Sequence, residues 1–249
     1  MPAPAKAARR PGSQRTALRR PGRPVARRDV PRGSSDGGKD AAPVRQARTH
    51  EFRRAAVLAA AGSVFARDGL SGATMRAIAG AAGYTVGALY FYYPGKEAIY
   101  ADLLGQSLDR LRMAVAGAIK AVDAGPDRAE ARVRAGLWGF LGHYRSHPRE
   151  LDLGLYLFRG LGPHGLSPAL DRELNSRLIA VLRRISGTMT ELGRLDPLAA
   201  HGETVAAFAT MLGLLVAERT GRLKILDATA DDVMTRYLDA LVARLRAAA

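Results

Sequence analysis

Apolar residues recur at helical spacing from Thr49 to the end of the chain, and this periodicity constrains the fold more than any other feature. No stretch shows the sustained alternation of a half-buried strand. The first predicted helix runs from about His50 to Arg67 and is expected to end at Asp68-Gly69, since glycine accepts the left-handed backbone of a C-cap. Its apolar stripe lies at i, i+3 and i+7, on Leu58, Ala61 and Phe65. The sequence therefore predicts an all-α fold.

Eight further helices follow from the same pattern and from Gly, Pro and Asp breaks between segments. Thr74 and Thr85 are residues of the type preferred at helix N-termini, and each is expected to open a short helix. The other helices are expected from near Gly95, at Arg128 to His147, Pro148 to Arg159, Pro168 to Leu192, Leu198 to Thr220 and Thr229 to Ala247. The prediction is thus nine helices and no strand.

The segment from Met1 to Arg48 is strongly basic, with 13 Lys or Arg against three Asp, so it carries +10 of the chain's +15. It has no aromatic residue and seven of the 13 prolines, so it is expected to be a disordered arm. Its charge favours a polyanionic partner. The run Arg19 to Pro24 resembles an AT-hook, with Arg20 and Arg23 as candidate minor-groove contacts, although Pro21 interrupts the motif. A generic basic arm is the alternative.

Several classes of function lack their sequence signals. The chain has no cysteine, so disulfides and thiolate metal sites are excluded. We find no phosphate loop, no Gly-x-Ser-x-Gly motif and no metal-ligand cluster, so neither an enzyme nor a cofactor is expected. His143 and His147 stand at i and i+4, but no further ligand accompanies them, so no metal site is expected. Without a signal sequence or a run of about 18 apolar residues, we expect a soluble, cytoplasmic protein and no membrane partner.

The segment from Ala73 to Tyr90 has the pattern of two short helices joined by a tight turn. Ile78 and Leu89 supply one apolar plug from each helix. Ala79 is small where the helices approach most closely, and Gly83 provides the positive φ that the turn requires. The second helix would then lie across the first with its N-terminal residues free to enter a DNA major groove.

About fifty residues, from Val57-Leu58 through Ile78-Ala79 and Gly83-Tyr84-Thr85 to Lys96-Glu97-x-Ile99, resemble the N-terminal domain of TetR-type regulators. The resemblance implies a transcriptional regulator, most often a ligand-responsive repressor that binds a palindromic operator in double-stranded DNA as a homodimer. After the expected disordered arm at residues 1–48, it also implies a three-helix DNA-binding domain at 49–96 and a helical regulatory and dimerisation domain at 97–249. A nucleoid-type or RNA-binding protein that uses the basic arm is the rival interpretation.

The resemblance also suggests which residues contact DNA. Phosphate contacts are expected from Thr74, Tyr90, Tyr92 and Lys96. Thr85, Val86, Gly87 and Ala88 would face the bases, where such plain side chains offer thymine-methyl contact and DNA shape rather than many hydrogen bonds. The alternatives are a core position for Tyr90, solvated side chains for Tyr92 and Lys96, and simple helix capping for Thr74. Three arginines are further candidates for charged contacts with the phosphate backbone of DNA: Arg53, Arg54 and Arg76.

Two departures from the family pattern are visible. Tyr93 stands where Phe is most common, and Pro94-Gly95 replaces the usual polar link.

In the C-terminal half, five aromatic residues could line a pocket for an unknown small-molecule effector, although ordinary core is the alternative for each: Trp138, Phe140, Tyr144, Tyr156 and Phe158. The last two helices are richly apolar, at Val205, Phe208, Ala209, Leu212, Leu215 and Val216, and at Val233, Tyr237, Leu241 and Leu245. By resemblance they form the dimer interface; burial within one chain is the alternative.

Overall fold

The computed structural model describes residues 41–155, 158–159, 162–163 and 166–249, with side chains at 48–155 and 166–249. Residues Arg45–Ala249 form one compact unit. The described residues contain these elements in chain order: α1 (Ala41–Gly72), α2 (Met75–Ala82), α3 (Val86–Tyr92), α4 (Lys96–Lys120), α5 (Arg128–Ser146), α6 (Pro148–Leu155), β1 (Phe158–Arg159), β2 (Gly162–Pro163), α7 (Pro168–Gly193), α8 (Pro197–Arg219), α9 (Arg222–Ile225) and α10 (Ala230–Ala248).

The first helix begins earlier than the periodicity predicts. α1 starts at Ala41, so the predicted start near His50 is wrong, and residues 1–40 of the expected disordered arm lie outside the described part of the chain. Alanine, glutamine and arginine are good helix formers and extend a helix without a buried face, and Pro43 is tolerated in the first turn. Gly69 has the predicted positive φ, 67°, but its ψ of 176° is not that of a left-handed cap. The helical geometry breaks there and resumes to Gly72.

Two other differences concern short elements. α6 ends at Leu155 rather than at Arg159, because Phe158–Arg159 pairs in antiparallel fashion with Gly162–Pro163. The prediction of no strand is therefore wrong, although this two-stranded pair leaves the chain overwhelmingly helical. α9 is a four-residue helix that lies between two predicted helices. Elements this short contain too few residues to show a hydrophobic period.

Side-chain caps begin several helices where the sequence predicts helix starts. Thr74 and Thr85 accept hydrogen bonds from the backbone N–H groups of Ala77 and Ala88, at 3.1 and 3.2 Å. Asp196 caps α8, whose first residue is Pro197. Each cap satisfies a backbone donor that the helix itself leaves unpaired.

The N-terminal helices share a core formed by the predicted stripe of α1. Val57, Ala61 and Phe65 are buried together with Ile78 of α2 and Leu89 of α3. The ring of Phe65 meets that of Tyr100 on α4 edge-on, with centroids 5.1 Å apart. These contacts fix the short helices α2 and α3 against α1 and the start of α4.

The C-terminal helices form a bundle in which α4 and α5 approach closely. A Cβ built on Gly139 of α5 would lie 3.0 Å from the Cβ of Ala118 on α4, so a larger residue at that crossing would require the two helices to move apart by a few tenths of an ångström. α7 packs against α4, α5, α8 and α10. Its side chains Val181, Ile185 and Met189 are fully buried in the shared core.

α8 is unusually apolar for a surface helix. By length and composition it is the one described helix that could cross a membrane, with a mean hydropathy of 1.4 over its most apolar window. Only 33% of that window is buried. α8 packs on α7, α5 and α10 along one side and exposes apolar side chains on the other.

Candidate nucleic-acid interface

The turn between α2 and α3 has the geometry that the sequence predicts. Gly83 adopts φ 73° and ψ 26°, the left-handed conformation, at the C-terminus of α2. The N–H of Tyr84 then donates to the carbonyl oxygen of Ala79 at 2.9 Å, which closes the end of the helix. Ile78 and Ala79 are buried beneath the turn, as predicted. The turn therefore redirects the chain within three residues and sets α3 against α2.

α3 presents one exposed face, since Leu89 alone among its residues is fully buried. Thr85 and Gly87 are exposed at its N-terminal end, and Val86 and Ala88 are half-buried. Tyr90 is 54% exposed, so the alternative of a core position for its ring is wrong. The predicted base-facing residues and Tyr90 thus share one short helix, with backbone and phenol groups accessible.

Tyr92 and Lys96 have contacts within the chain that the sequence did not indicate. The half-buried ring of Tyr92 lies against His50 of α1, with centroids 4.8 Å apart. The Lys96 ammonium donates to the carbonyl oxygens of Ser71 and Ala73, at 3.1 and 2.9 Å. Because an ammonium carries three donors, these bonds leave one for a phosphate. Lys96 therefore also holds the chain between α1 and α2.

Arg54 is held by an ion pair inside the domain. Its Nε and Nη2 donate to Asp102 Oδ2 at 2.9 and 2.7 Å, and Nε also donates to the Tyr93 hydroxyl at 3.2 Å. The Tyr93 hydroxyl in turn donates to Asp102. Arg53 and Arg76 are exposed, and within the described residues no ion pair is found for either. Of the three arginines, only these two offer unpaired charge at the surface.

In the cluster of Tyr93, Asp102 and Arg54, the pKa of the Tyr93 phenol is raised and the pKa of the Asp102 carboxyl is lowered. Burial, aided by the hydrogen bond to Asp102, raises the pKa of Tyr93 to about 12. Burial alone would raise the pKa of the Asp102 carboxyl, but hydrogen bonds from Tyr93, Arg54 and Gln106 outweigh it and lower that pKa. The cluster therefore stays a neutral phenol bonded to a charged ion pair, and it ties α1 and the end of α3 to α4.

Phe91 is an exposed aromatic residue that the sequence analysis passed over. Its side chain is 79% exposed on α3, four residues after Gly87 and so on the same face of the helix. A large apolar side chain so exposed on the second helix of a helix-turn-helix is suited to contact thymine methyl groups. The helical spacing from Gly87 was the signal that could have identified it.

The first part of this region matches a known family model, described as bacterial regulatory proteins of the tetR family, over residues 57–103. The match spans the helix-turn-helix and both of its supporting helices. This part of the chain belongs to the TetR family of bacterial regulatory proteins. The protein is accordingly a DNA-binding transcription regulator and not an enzyme.

Solved structures of the same fold cover most of the chain. A putative transcriptional regulator from Pseudomonas aeruginosa PAO1 matches with a TM-score of 0.63 and 23% identity, over 79% of this chain and 91% of its own. FadR from Bacillus subtilis, solved in complex with stearoyl-CoA, matches with a TM-score of 0.59 and 19% identity, over 75% and 96%. The TetR-family regulator PfmR from Thermus thermophilus matches at 0.58 and 17%, over 75% and 93%. No curated protein sequence matches the chain significantly.

The regulator has an apolar cavity of about 220 Å³ among α4, α5, α6, α7 and α8. Phe140 and Tyr144, two of the predicted pocket residues, line it. Trp138 is half-buried against the core and is not part of this lining, so its place in an effector pocket stays a prediction. The side chains of Tyr156 and Phe158 lie outside the described residues.

His143 of this regulator is part of a hydrogen-bond network beside the cavity. Its Nε2 lies 3.0 Å from Glu150, which also accepts hydrogen bonds from Ser107 at 2.8 Å and Arg110 at 2.7 Å. Burial lowers the pKa of His143, and the nearby Glu150 opposes that effect. The His147 ring stacks on that of His143. Over the described part of the chain, no group of three potential metal ligands occurs.

Proposed function

We propose that this protein is a cytoplasmic, ligand-responsive repressor that binds a palindromic operator as a homodimer. The observation that carries the proposal is the capped α2–turn–α3 unit, whose second helix exposes Thr85, Gly87, Tyr90 and Phe91. A dimer presents two such helices, and a palindromic site is the matching arrangement in DNA. Occlusion of a promoter by such a dimer is repression.

The proposed DNA contacts fall into two classes. Thr74, Tyr90, Tyr92 and Lys96 would contact phosphates, which position the protein without reading sequence. Thr85, Val86, Gly87 and Ala88 would lie against base edges, with Phe91 extending their apolar surface. Because these side chains offer few hydrogen bonds, specificity would depend on thymine methyl groups and on DNA shape.

The exposed apolar side of α8 supports the dimer. Val205, Ala209, Gly213 and Val216 form a stripe at i, i+4, i+8 and i+11, and Val205 is 51% exposed. Large exposed apolar stripes on a folded chain mark interaction surfaces. Three residues predicted for the interface, Leu215, Leu241 and Leu245, instead lie in the core of one chain, so burial within the monomer is correct for them.

The cavity supports a small-molecule effector of apolar character. All but two of its lining side chains are hydrocarbon or glycine, the exceptions being Tyr144 and Asn175. The structurally similar FadR from Bacillus subtilis was solved with stearoyl-CoA. α4 contributes Leu104 and Leu108 to the cavity and Asp102 to the cluster that holds α1 and α3, so a ligand that displaces α4 would disturb the DNA-binding helices.

The test begins with selection of preferred sites from random DNA by the full chain, followed by fluorescence anisotropy at fixed salt on the selected site and on a scrambled one. Tyr90→Ala and Lys96→Ala should weaken binding to both DNAs by about 5- to 50-fold, as expected for lost charged or polar contacts. Lys120→Ala, an exposed lysine at the far end of α4, is the matched control. Thermal unfolding of Lys96→Ala measures the stability that is lost with its hydrogen bonds to Ser71 and Ala73, and so separates that structural role from contact with phosphate.

Base readout is tested on the same selected site. Val86→Ala or Ala88→Ser should change the order of preferred sequences. Phe91→Ala should remove the affinity difference between thymine and uracil in the site, because uracil lacks the methyl group. Phe52→Ala on α1, where Phe52 is 75% exposed, is its control. Equal wild-type affinity for selected and scrambled DNA would instead favour the nucleoid-type interpretation and reject the proposed function.

A further inference from the structure

We propose that the effector is an amphipathic anion, with an alkyl chain in the apolar cavity and a carboxylate or phosphate head in a cleft next to it. The inference rests on the proposed function, since it names the chemistry of the ligand to which the repressor responds. The inference is based on two neighbouring spaces, an apolar cavity and a cleft with charged side chains, which share some of their lining residues.

The cavity itself suits a hydrocarbon chain. Leu104, Leu108, Leu174, Leu178 and Phe208 are among its lining residues, which come from five helices. At about 220 Å³ it is smaller than the ~300–1,000 Å³ typical of small-molecule sites. A whole effector would therefore extend beyond it.

The second space is a cleft of about 210 Å³ at the ends of α5 and α8 and the start of α6. Tyr144 and Leu151 line both the cleft and the cavity, so the two spaces meet at these side chains. Together their volumes fall within the ~300–1,000 Å³ range of ordinary ligand sites. A ligand that passes Tyr144 would have an apolar end and a polar end in matching surroundings.

Two arginines line the cleft, and an anion would bind there by replacing one of the carboxylates with which they pair. Arg145 donates through Nη1 to Asp231 at 2.6 Å and through Nη2 to Glu218 at 2.9 Å, and Arg219 donates through Nη2 to Asp152. A guanidinium carries five N–H donors, so these carboxylates orient both groups without using all their donors. The ion pairs are partly exposed, and such pairs contribute little to stability, so a ligand carboxylate or phosphate can exchange with Glu218.

Tyr144 adds a neutral donor where the two spaces meet. Its side chain is 7% exposed, and its hydroxyl has no hydrogen-bond partner among the described residues. Burial, and then the negative charge of Glu150, raise the pKa of this phenol, so it remains protonated. The hydroxyl is therefore free to donate a hydrogen bond to the head group of a ligand that lies between the cavity and the cleft.

The direct test is isothermal titration calorimetry of the full chain, without DNA, with dodecanoate, dodecyl phosphate, dodecanoyl-CoA and 1-dodecanol below their micellar concentrations. The anions should bind at least tenfold more tightly than the alcohol. In a series of fatty acids, each added methylene should tighten binding about fourfold until the cavity is full. Comparison of the three anions identifies which head group the cleft prefers.

Variants assign each half of the ligand to its space. Arg145→Met with Arg219→Met should abolish the preference for anions over 1-dodecanol, whereas Arg184→Met, at an exposed arginine of α7, should leave it unchanged. Gly154 lines the cavity, and a Cβ there would meet no atom within 4 Å. Gly154→Leu should therefore fold normally, fill the cavity and weaken binding of long chains at least tenfold while butyrate is unaffected.

Three results would overturn the inference: binding of 1-dodecanol as tight as that of the anions, an unchanged anion preference in the double arginine variant, or no binding of any of the amphiphiles. Operator binding is measured separately. A protein that binds its operator but none of the amphiphiles rejects this inference alone. One that binds the amphiphiles but prefers no DNA sequence rejects the proposed function instead.

Discussion

The Tyr93 hydroxyl is a single oxygen atom that joins three helices. Tyr93 directly follows the last residue of α3. Its hydroxyl donates a hydrogen bond to Asp102 of α4 and accepts one from Arg54 of α1. Phenylalanine, the residue expected from the family pattern, would fill the same space but leave the half-buried Asp102 carboxylate with fewer donors. In this chain the connection between the DNA-binding helices and α4 is therefore polar as well as apolar.

Tyr93→Phe should lower the free energy of unfolding by about 1–2 kcal/mol, because a hydrogen bond to a charged group is lost.

The pH dependence of the free energy of unfolding tests the role of the Tyr93 hydroxyl more specifically. The pKa of Tyr93 is raised to about 12 from an ordinary value of 10.0, so its contribution is complete below pH 10 and lost as the pH rises through 12. Urea unfolding from pH 8 to 12 should show that loss in wild type relative to Tyr93→Phe. Tyr84→Phe, which removes no recorded hydrogen bond, is the control, and parallel pH profiles of wild type and Tyr93→Phe would contradict the prediction.

Residue roles that follow from local backbone rules were predictable, whereas roles that depend on tertiary partners were not. The caps at Thr74 and Thr85 and the positive φ of Gly83 follow from neighbours in sequence. The engagement of Arg54 depends on Asp102, 48 residues away, and no local pattern indicates such a pair. Lys96 is similar, since its carbonyl partners lie at the end of α1 and just beyond it.

At the scale of the element, the turn between α2 and α3 depends on one glycine. Gly83→Ala should destabilise the protein by about 1–2 kcal/mol, the cost of a left-handed conformation for a residue with a Cβ. No atom lies within 4 Å of such a Cβ, so the cost would be conformational and not steric. Gly80→Ala, at an exposed and open position within α2, should instead stabilise by up to about 1 kcal/mol. Opposite shifts in unfolding midpoint check the pair; shifts of the same sign would contradict the turn geometry.

Element existence was predictable for the long helices because each carries several turns of apolar period. The failures are the short or terminal elements: the early start of α1 at Ala41, the pair β1–β2 and the four-residue α9. The N-terminal extension has no core-facing stripe that periodicity can detect, and the short elements depend on pairing or on neighbouring helices. Prediction of the cavity lining is limited for a related reason, since sequence places an aromatic residue such as Trp138 on a helix but does not show which side of the helix faces a cavity.

At the scale of the whole molecule, the exposed stripe of α8 is expected to hold two chains together. Ala209→Glu with Val216→Glu should yield monomers and lower operator affinity at least tenfold, because buried unpaired charges oppose association. Both side chains are exposed in one chain, so folding should be preserved; charging Leu241, which is fully buried, would not give that separation. Ile179→Glu on α7, at a residue 46% exposed, is the control. Light scattering at micromolar concentration measures the oligomeric state of each variant, and a monomeric wild type would reject the dimer.

The basic arm is the feature least expected from the family pattern. Residues 1–40 carry 11 Lys or Arg and three Asp, so their deletion removes a net +8 and leaves α1 intact. If the arm lies along DNA, each phosphate it neutralises releases a counterion, and log affinity falls with log salt by about 0.9 per contact. Deletion should therefore lower affinity and flatten the salt slope, while the order of preferred sequences is retained because α2 and α3 are unchanged.

An AT-hook at Arg19 to Pro24 makes a narrower prediction, because such a hook reads a narrow minor groove. Arg23→Ala in the full chain should then cost more affinity on operators flanked by A/T tracts than on operators flanked by G/C. Arg9→Ala, which removes the same charge outside the motif, is the matched control. Both variants and the deletion are measured by fluorescence anisotropy across a salt series on the two flanks. An unchanged slope after deletion would exclude the arm from the complex, and equal effects of Arg23→Ala on both flanks would reduce it to a generic basic tail, whose charge attracts DNA without regard to sequence.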